Sequence, residues 1–317
     1  MTSTAVTDSA YRAVTQSCGL VDRSERGKLA LTGPDAKTFL QGQVSNDVEA
    51  LQPGGGCYAA FLTPKGKMLG DIRILDAGAE MLLDTERVAL QELFNMIRRF
   101  SVGYTVQLHK RTLERGLLSL LGPEAATVAR ADGLGETEDS HVVIDVDGIA
   151  ARAIRTEAGV DLLCDAEVTE ALIAVLSARG AEPVPQTVAE CVRIERGRPR
   201  YGIDLDDSVI PQEAGLNQRA VSFTKGCYVG QETVARLFYR GKPNRHLRGL
   251  RLSAPAQTGD EIVFADKVVG RLGSVADSPA LGPIALALVR REAAPGSDVV
   301  VGADQVDAVV VELPFAA

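Results

Sequence analysis

The segment Lys225-Gly226-Cys227-Tyr228-Val229-Gly230-Gln231-Glu232 sets a thiol between two glycines, shortly after a lysine and just before a helix-compatible run, Glu232–Leu237. A neighbouring ammonium and a helix start both favour the thiolate, which is the nucleophilic form of cysteine. Cys227 is therefore a candidate reactive group; the alternative is a small buried thiol in a tight turn, the commoner fate of a free cysteine. In Arg193-Ile194-Glu195-Arg196-Gly197 the carboxylate falls in the last turn of a helix. The negative end of the helix dipole is unfavourable for Glu195, so a compensating partner is expected. Arg193, Arg196 or Arg198 would supply an ion pair. A ligand with adjacent N–H donors, such as an aminopyrimidine edge, would instead supply two parallel hydrogen bonds.

Weaker candidates surround these two. Gln43, Ser45, Asn46 and Asp47 gather after an expected helix, either as a cap and turn or as part of a site. Asp71 interrupts a strand-like run, where a carboxylate is either solvent-facing or functional. Tyr201-Gly202-Ile203-Asp204 and Pro211–Leu216 have the composition of structured loops. Arg236, Arg240, Lys242, Arg245 and Arg248 form a basic set that suits an anionic tail or an ordinary solvated surface.

The elements that must hold these residues are mixed. Strands are expected at Gly27–Thr32, Cys57–Leu62, Met68–Leu75 and Met81–Leu83, the middle pair joined by the turn Pro64-Lys65-Gly66-Lys67. Further strands are expected at Tyr104–Leu108, Gly116–Leu121, Val142–Val146, Ile149–Arg155 and Val160–Cys164. Helical spacing covers Thr85–Phe100 and Ala166–Ala178, and shorter helices follow Gly33-Pro34-Asp35 and Gly122-Pro123. Thr187-Val188-Ala189-Glu190 reads as a capping box that opens the helix bearing Glu195. Residues 197–225 are rich in Gly, Pro, Asp and Asn and read as a long irregular connection, a length usually functional or disordered. From His246 the pattern is all β, with six short runs in the remaining chain, which suggests a small closed or nearly closed barrel. The boundary is set near Gly241-Lys242-Pro243-Asn244, dividing residues 1–242 from 243–317.

Composition excludes several classes. The 317 residues carry 34 Lys and Arg against 42 Asp and Glu, a net charge of −8, which argues against a direct nucleic-acid partner. No apolar run approaches the ~20 residues of a membrane span, and Met1–Ala10 lacks the pattern of a secretory signal. The 5 cysteines are widely spaced without a Cys-x-x-Cys pair, and the 3 histidines lie far apart. A reducing cytoplasm, no disulfide framework and no metal site are the expectations.

Lys225–Glu232, continued by Thr233-Val234-Ala235-Arg236, resembles the signature of the YgfZ family of folate-binding proteins, within the fold superfamily of the glycine-cleavage T-protein, an aminomethyltransferase. Cys18–Asp22, Leu31–Ala36, Asn46-Asp47, Arg193–Gly197 and Tyr201–Asp204 resemble blocks of the wider superfamily, so the likeness runs over most of the chain. It implies an α+β folate-binding region of two interleaved subdomains with a C-terminal β-barrel. It further implies tetrahydrofolate or a derivative in a central channel, with Glu195 on the pterin edge and Asn46, Tyr201, Arg236 and Arg240 in the binding set. The implied function is assistance to iron–sulfur cluster assembly or repair, with iron–sulfur client enzymes or assembly proteins as partners and Cys227 as the functional thiol. T-proteins carry paired acids where this chain has Gly70-Asp71, a Lys-Glu where it has Gln231-Glu232, and no counterpart of Cys227. These departures weaken the alternative of tetrahydrofolate-dependent one-carbon transfer, which Asp71 alone keeps open.

Overall fold

Alternating side chains divide the first half of the chain into an apolar and a polar set, and a computed structural model, which describes residues 6–316, shows what each set meets. Five antiparallel strands form the first sheet, in the order Gly56–Leu62, Met68–Asp76, Met81–Thr85, Gly27–Thr32, Gln107–Lys110. Leu29, Leu31, Ala59, Phe61, Ile72 and Ile74 point to one face and pack under the helices Ala36–Gln43 and Leu90–Phe100 with Phe39, Leu40, Leu93 and Ile97. Because strand side chains alternate, Tyr58, Asp71 and Arg73 must point to the opposite face.

The second sheet runs Glu182–Pro183, Gly19–Asp22, Arg115–Leu121, Gly159–Asp165, Ile149–Thr156, His141–Val146. Leu118, Leu120, Val160 and Leu162 are buried with Leu172 and Leu176 of the helix Thr169–Ala178. Their neighbours Ser119 and Asp161, which pair in register, again face the other way. The two sheets thus turn their polar faces toward each other, joined at one end by Ala30, Leu75, Leu82 and Ile154.

The last six strands close into a barrel in the order Arg245–Leu252, Gly282–Arg290, Lys267–Ser278, Glu261–Phe264, Asp298–Val301, Val306–Val311. Ile194 on the helix Gln186–Glu195 packs against Leu247, Ile284, Leu286 and Phe315 of this region. A polar clamp lies beside that contact. The Asp204 carboxylate accepts from Arg193 (3.0 Å), from the Arg200 amide (2.8 Å) and from both the amide and hydroxyl of Ser274 (2.7 and 2.9 Å). The expected α+β architecture with a closed barrel is therefore the one found.

Several local expectations are corrected. A helix at Asp8–Gln16 and a strand at Gly19–Asp22 lie where no element is expected from the sequence. The helix expected over Thr85–Phe100 begins at Leu90, because Met81–Thr85 continues as a strand paired to Gly27–Leu31. Thr187 caps nothing: Pro185 holds the cap position, and the Thr187 hydroxyl is buried inside the first turn without a partner. Glu190 does not reach back to the helix start but meets Arg193, Arg200 and Arg23. The connection after Gly197 contains one short helix, Asn217–Ala220, and otherwise wraps the first sheet. There the Ser45 hydroxyl donates to the Ala220 carbonyl at 2.6 Å, and the Ser222 amide donates to that of Ser45 at 2.9 Å. The first five residues, part of the stretch read for a leader, lie outside the described residues. Among those described, no helix is long and apolar enough to cross a membrane.

Candidate functional site

Between the two polar sheet faces lies a central cavity of about 200 Å³. Its wall is unusually charged because each sheet contributes its outward set. Arg73 donates to Asp84 of its own sheet at 2.5 Å and to Asp161 of the other at 2.7 Å. Arg26 holds Asp84 and Glu86, and Arg200 reaches Glu86 at 3.0 Å. Arg198 is paired with Glu157 at 2.5 Å. These ion pairs have hydrogen-bonding geometry on both partners, which buried charges require to avoid an uncompensated desolvation cost.

Asp71 is the sequence candidate that the fold delivers to this wall. It is 6% exposed, and the Tyr58 hydroxyl donates to its Oδ2 at 2.5 Å. The two residues lie diagonally across adjacent strands, Tyr58 opposite Arg73 and Asp71 opposite Ala60. Burial raises the Asp71 carboxyl above its ordinary value, with Glu86 adding to the effect and the Tyr58 hydroxyl and Arg26 opposing it. Burial likewise holds the Tyr58 phenol well above its usual range, so it remains a donor. The Arg219 guanidinium lies over the Tyr58 ring, 4.3 Å from its centroid, and forks onto Glu138. An acid, a phenol and an aromatic face on adjacent strands are thus set beside a cation on the short helix Asn217–Ala220.

Asn46 stands behind this group. Its amide donates to the carbonyls of Tyr58 (2.9 Å) and Arg219 (3.1 Å), fixing the two chain segments that carry the aromatic and the cation. An outer cleft lined by Asn46, Cys57 and Gln218 shares Tyr58, Glu138, Asp139, Arg198 and Arg219 with the cavity, so the two adjoin across these side chains.

The other candidates are placed elsewhere. Glu195 does not line the cavity; its carboxylate accepts from the Tyr11 hydroxyl at 3.0 Å, the Ser278 hydroxyl at 2.5 Å and the Cys191 thiol at 3.5 Å. The compensation expected at that helix end is supplied by these groups, not by Arg193, Arg196 or Arg198. Tyr201 is half-buried between the first sheet's core and the connection that wraps it. Burial, with Asp207 next in effect, pushes its phenol up to about 12. Arg236 and Arg240 are exposed on the helix Gln231–Arg240, away from the cavity lining, and Arg245 is spent on Glu213 through two contacts of 3.1 and 3.0 Å.

Cys227 is the exposed member of the five free cysteines. The lysine expected beside it points inward instead: Lys225 Nζ donates to the carbonyls of Gln41 (2.6 Å), Val44 (2.8 Å) and Asn46 (2.8 Å). Burial brings that ammonium down to about 8. The helix after the thiol begins at Gln231, one residue before the expected run, following Gly230 in a left-handed conformation at φ 85°. A Cβ at Gly230 would lie 2.5 Å from the Thr63 carbonyl oxygen, so the loop is seated tightly on the hairpin turn of the first sheet. The residues that sequence reasoning missed, Tyr58, Glu138, Asp139 and Arg219, carry no local motif; only the Tyr58–Asp71 strand pairing could have pointed to one of them.

Comparison with known proteins agrees with this architecture. Residues 2–225 match the GCVT N-terminal domain, and residues 245–316 match the glycine cleavage T-protein C-terminal barrel domain. An aminomethyltransferase of Thermotoga petrophila is 29% identical, over 96% of this chain and 87% of the relative. A putative chloroplastic transferase of Arabidopsis thaliana is 29% identical, over 98% and 74%. The tRNA-modifying protein YgfZ of Colwellia psychrerythraea is 27% identical, over 77% and 75%. The crystal structure of the glycine cleavage system aminomethyltransferase T from Bartonella henselae superposes with a TM-score of 0.85 at 24% identity, covering 97% of this chain and 89% of that one. With its two sheets, its linking helix and its closed barrel accounted for, the chain belongs to the GCVT family and carries the T-protein fold.

Proposed function

We propose that this protein binds tetrahydrofolate or a derivative in the central channel and serves as an auxiliary factor for iron–sulfur cluster assembly or repair, of the YgfZ type. The observation that carries the reading is the buried Asp71–Tyr58 pair under the Arg219 guanidinium, at the head of a channel that opens through a cleft. The donor set suits the ligand. A flat heteroaromatic ring can lie along an aromatic wall, its N–H groups can meet buried carboxylates, and an anionic tail can leave past arginines. Asp71 and Tyr58 hold a proton beside the ring, and Asn46 keeps the Tyr58 and Arg219 segments in register. Bound tetrahydrofolate supplies a carrier for one-carbon units. Glu195 lies outside the cavity lining, with its oxygens held by Tyr11 and Ser278. The iron–sulfur role rests on the Lys225–Glu232 segment, the exposure of Cys227 and the likeness to YgfZ.

The second reading, one-carbon transfer from an aminomethyl or methylamine donor, draws on the same Asp71 and on the aminomethyltransferase relatives. Gly70 in place of a second acid counts against it. Titration calorimetry with formyl-tetrahydrofolate tests the shared part: binding to the wild type is expected, weakened about tenfold or more by Asp71→Asn through loss of a charge-assisted bond. Absence of wild-type binding overturns both readings. Iron–sulfur enzyme activities in a deletion strain then separate them. Restoration by the wild type and not by Cys227→Ser supports the auxiliary role, whereas folate-dependent formaldehyde transfer abolished in Asp71→Asn supports the second.

A further inference from the structure

Seven carboxylates line the central cavity: Asp71, Asp84, Glu86, Glu138, Asp139, Glu157 and Asp161. Six already accept hydrogen bonds from protein donors. Asp71 takes the Tyr58 hydroxyl, Asp84 and Asp161 take Arg73, Glu86 takes Arg26 and Arg200, Glu138 takes Arg219, and Glu157 takes Arg198. Among the described residues, none donates to the side chain of Asp139, although that residue is only 5% exposed and borders both the cavity and its outer cleft. The nearby cations are committed, Arg73 to Asp84 and Asp161 and Arg219 to Glu138. A buried carboxylate without a donor is costly and is normally paired.

The backbone holds Asp139 firmly. Its amide donates to the Arg155 carbonyl at 2.9 Å, and its own carbonyl oxygen sits where a Cβ on Gly56 would come within 2.6 Å. Its φ of 66° is left-handed, a conformation aspartate and asparagine accept more readily than other non-glycine residues. The side chain is therefore a preorganised acceptor facing the channel, with both oxygens free for a ligand.

We propose that Asp139 anchors the N–H donor edge of the channel's ligand and selects an aminopyrimidine edge over its oxo counterpart. Two parallel charge-assisted hydrogen bonds from such an edge would satisfy both oxygens at once. This assignment deepens the folate reading and rests on it. The charged and titratable groups around Asp139 are Glu138 on its own loop, Arg73 and Cys57 on the first sheet, Asp161 on the second, and Arg219 on the short helix. Burial, together with Glu138 and Asp161, pushes its carboxyl up to about 6 against the pull of Arg73 and Arg219.

Titration calorimetry on the full chain tests the proposal with formyl-tetrahydrofolate, pterin and lumazine, in which an oxo group replaces the pterin amino group. The wild type is expected to prefer pterin by about tenfold to a hundredfold, and Asp139→Asn to abolish that preference. Pterin affinity of the wild type is also expected to fall as pH drops below about 6, a dependence reduced in Asp139→Asn. Equal affinity of the wild type for pterin and lumazine overturns the assignment without any variant. So does an Asp139→Asn protein that keeps the preference. If formyl-tetrahydrofolate still binds in an Asp71-dependent way, the folate reading survives that result. A wild type that binds none of the three ligands overturns both.

Discussion

At Asp139 and Asp71 the folded chain holds a proton more tightly than the unfolded chain does, because burial penalises the ionised form. For Asp139 the interval runs from 3.8 to about 6. Across it the native state binds more protons than the unfolded state, so this group's contribution to stability falls as pH rises and is lost above about 6. Asp139→Asn removes the penalty. Each tenfold change in proton affinity is worth ~1.4 kcal/mol, so at pH 8 the variant is expected to gain up to about 3 kcal/mol. Little change is expected near pH 4, and urea melts at the two pH values check both. Higher stability accompanied by weaker ligand binding is the usual signature of a strained binding residue. The thiols give a second test at this scale. Burial pushes Cys18 up to about 11 and Cys57 and Cys191 up to about 12, and it also raises Cys164, while Cys227 is exposed. Mass spectrometry after brief treatment with iodoacetamide at neutral pH is expected to find Cys227 modified first, since both access and thiolate fraction set the rate.

Elements carry these residues with different degrees of legibility. Period-two alternation makes the strands readable, and Ile72 and Ile74 in the core already imply that Asp71 and Arg73 face the other way. The barrel strands are readable for the same reason. The capping box fails because Pro185 ends the preceding extended segment and the helix starts directly after it. The dipole argument for Glu195 gives the need for a partner but not its identity. Tyr11 comes from a helix 184 residues away, and no local pattern encodes that meeting. Asp139 is hidden in a stretch of Gly, Asp and Glu that reads as an ordinary loop. Lys225 is close to the thiol in sequence, yet its ammonium is the pin that seats the loop on the Gln41–Asn46 turn. Lys225→Met leaves three carbonyls without their donor and is expected to cost about 2–4 kcal/mol. Urea unfolding measures the loss, and faster proteolysis within residues 222–230 locates it.

Over the whole molecule, the barrel meets the two-sheet region at an apolar contact around Ile194 and a polar clamp around Asp204, flanked by the bonds of Ser278 to Glu195 and of Arg245 to Glu213. The Asp204 side chain is fully buried, and its removal takes one of two carboxylates from Arg193 and leaves the Ser274 and Arg200 amides without their acceptor. Asp204→Ala is therefore expected to lower stability by about 2–4 kcal/mol. Calorimetry is expected to resolve the barrel as a separate transition in that variant. The clasp between the Ser45 hydroxyl and the Ala220 carbonyl, 175 residues later, has a consequence of a different kind. At a synthesis rate of roughly 5–20 residues per second, the first sheet, complete at Lys110, waits about 5–22 seconds on the ribosome before the strap that covers its outer strand exists. Throughout that wait Ala60, Leu62 and Met68, buried against Leu205, Val209 and Val221 in the finished protein, have nothing to pack against. The nascent chain is thus expected to keep that apolar set uncovered until the strap is made.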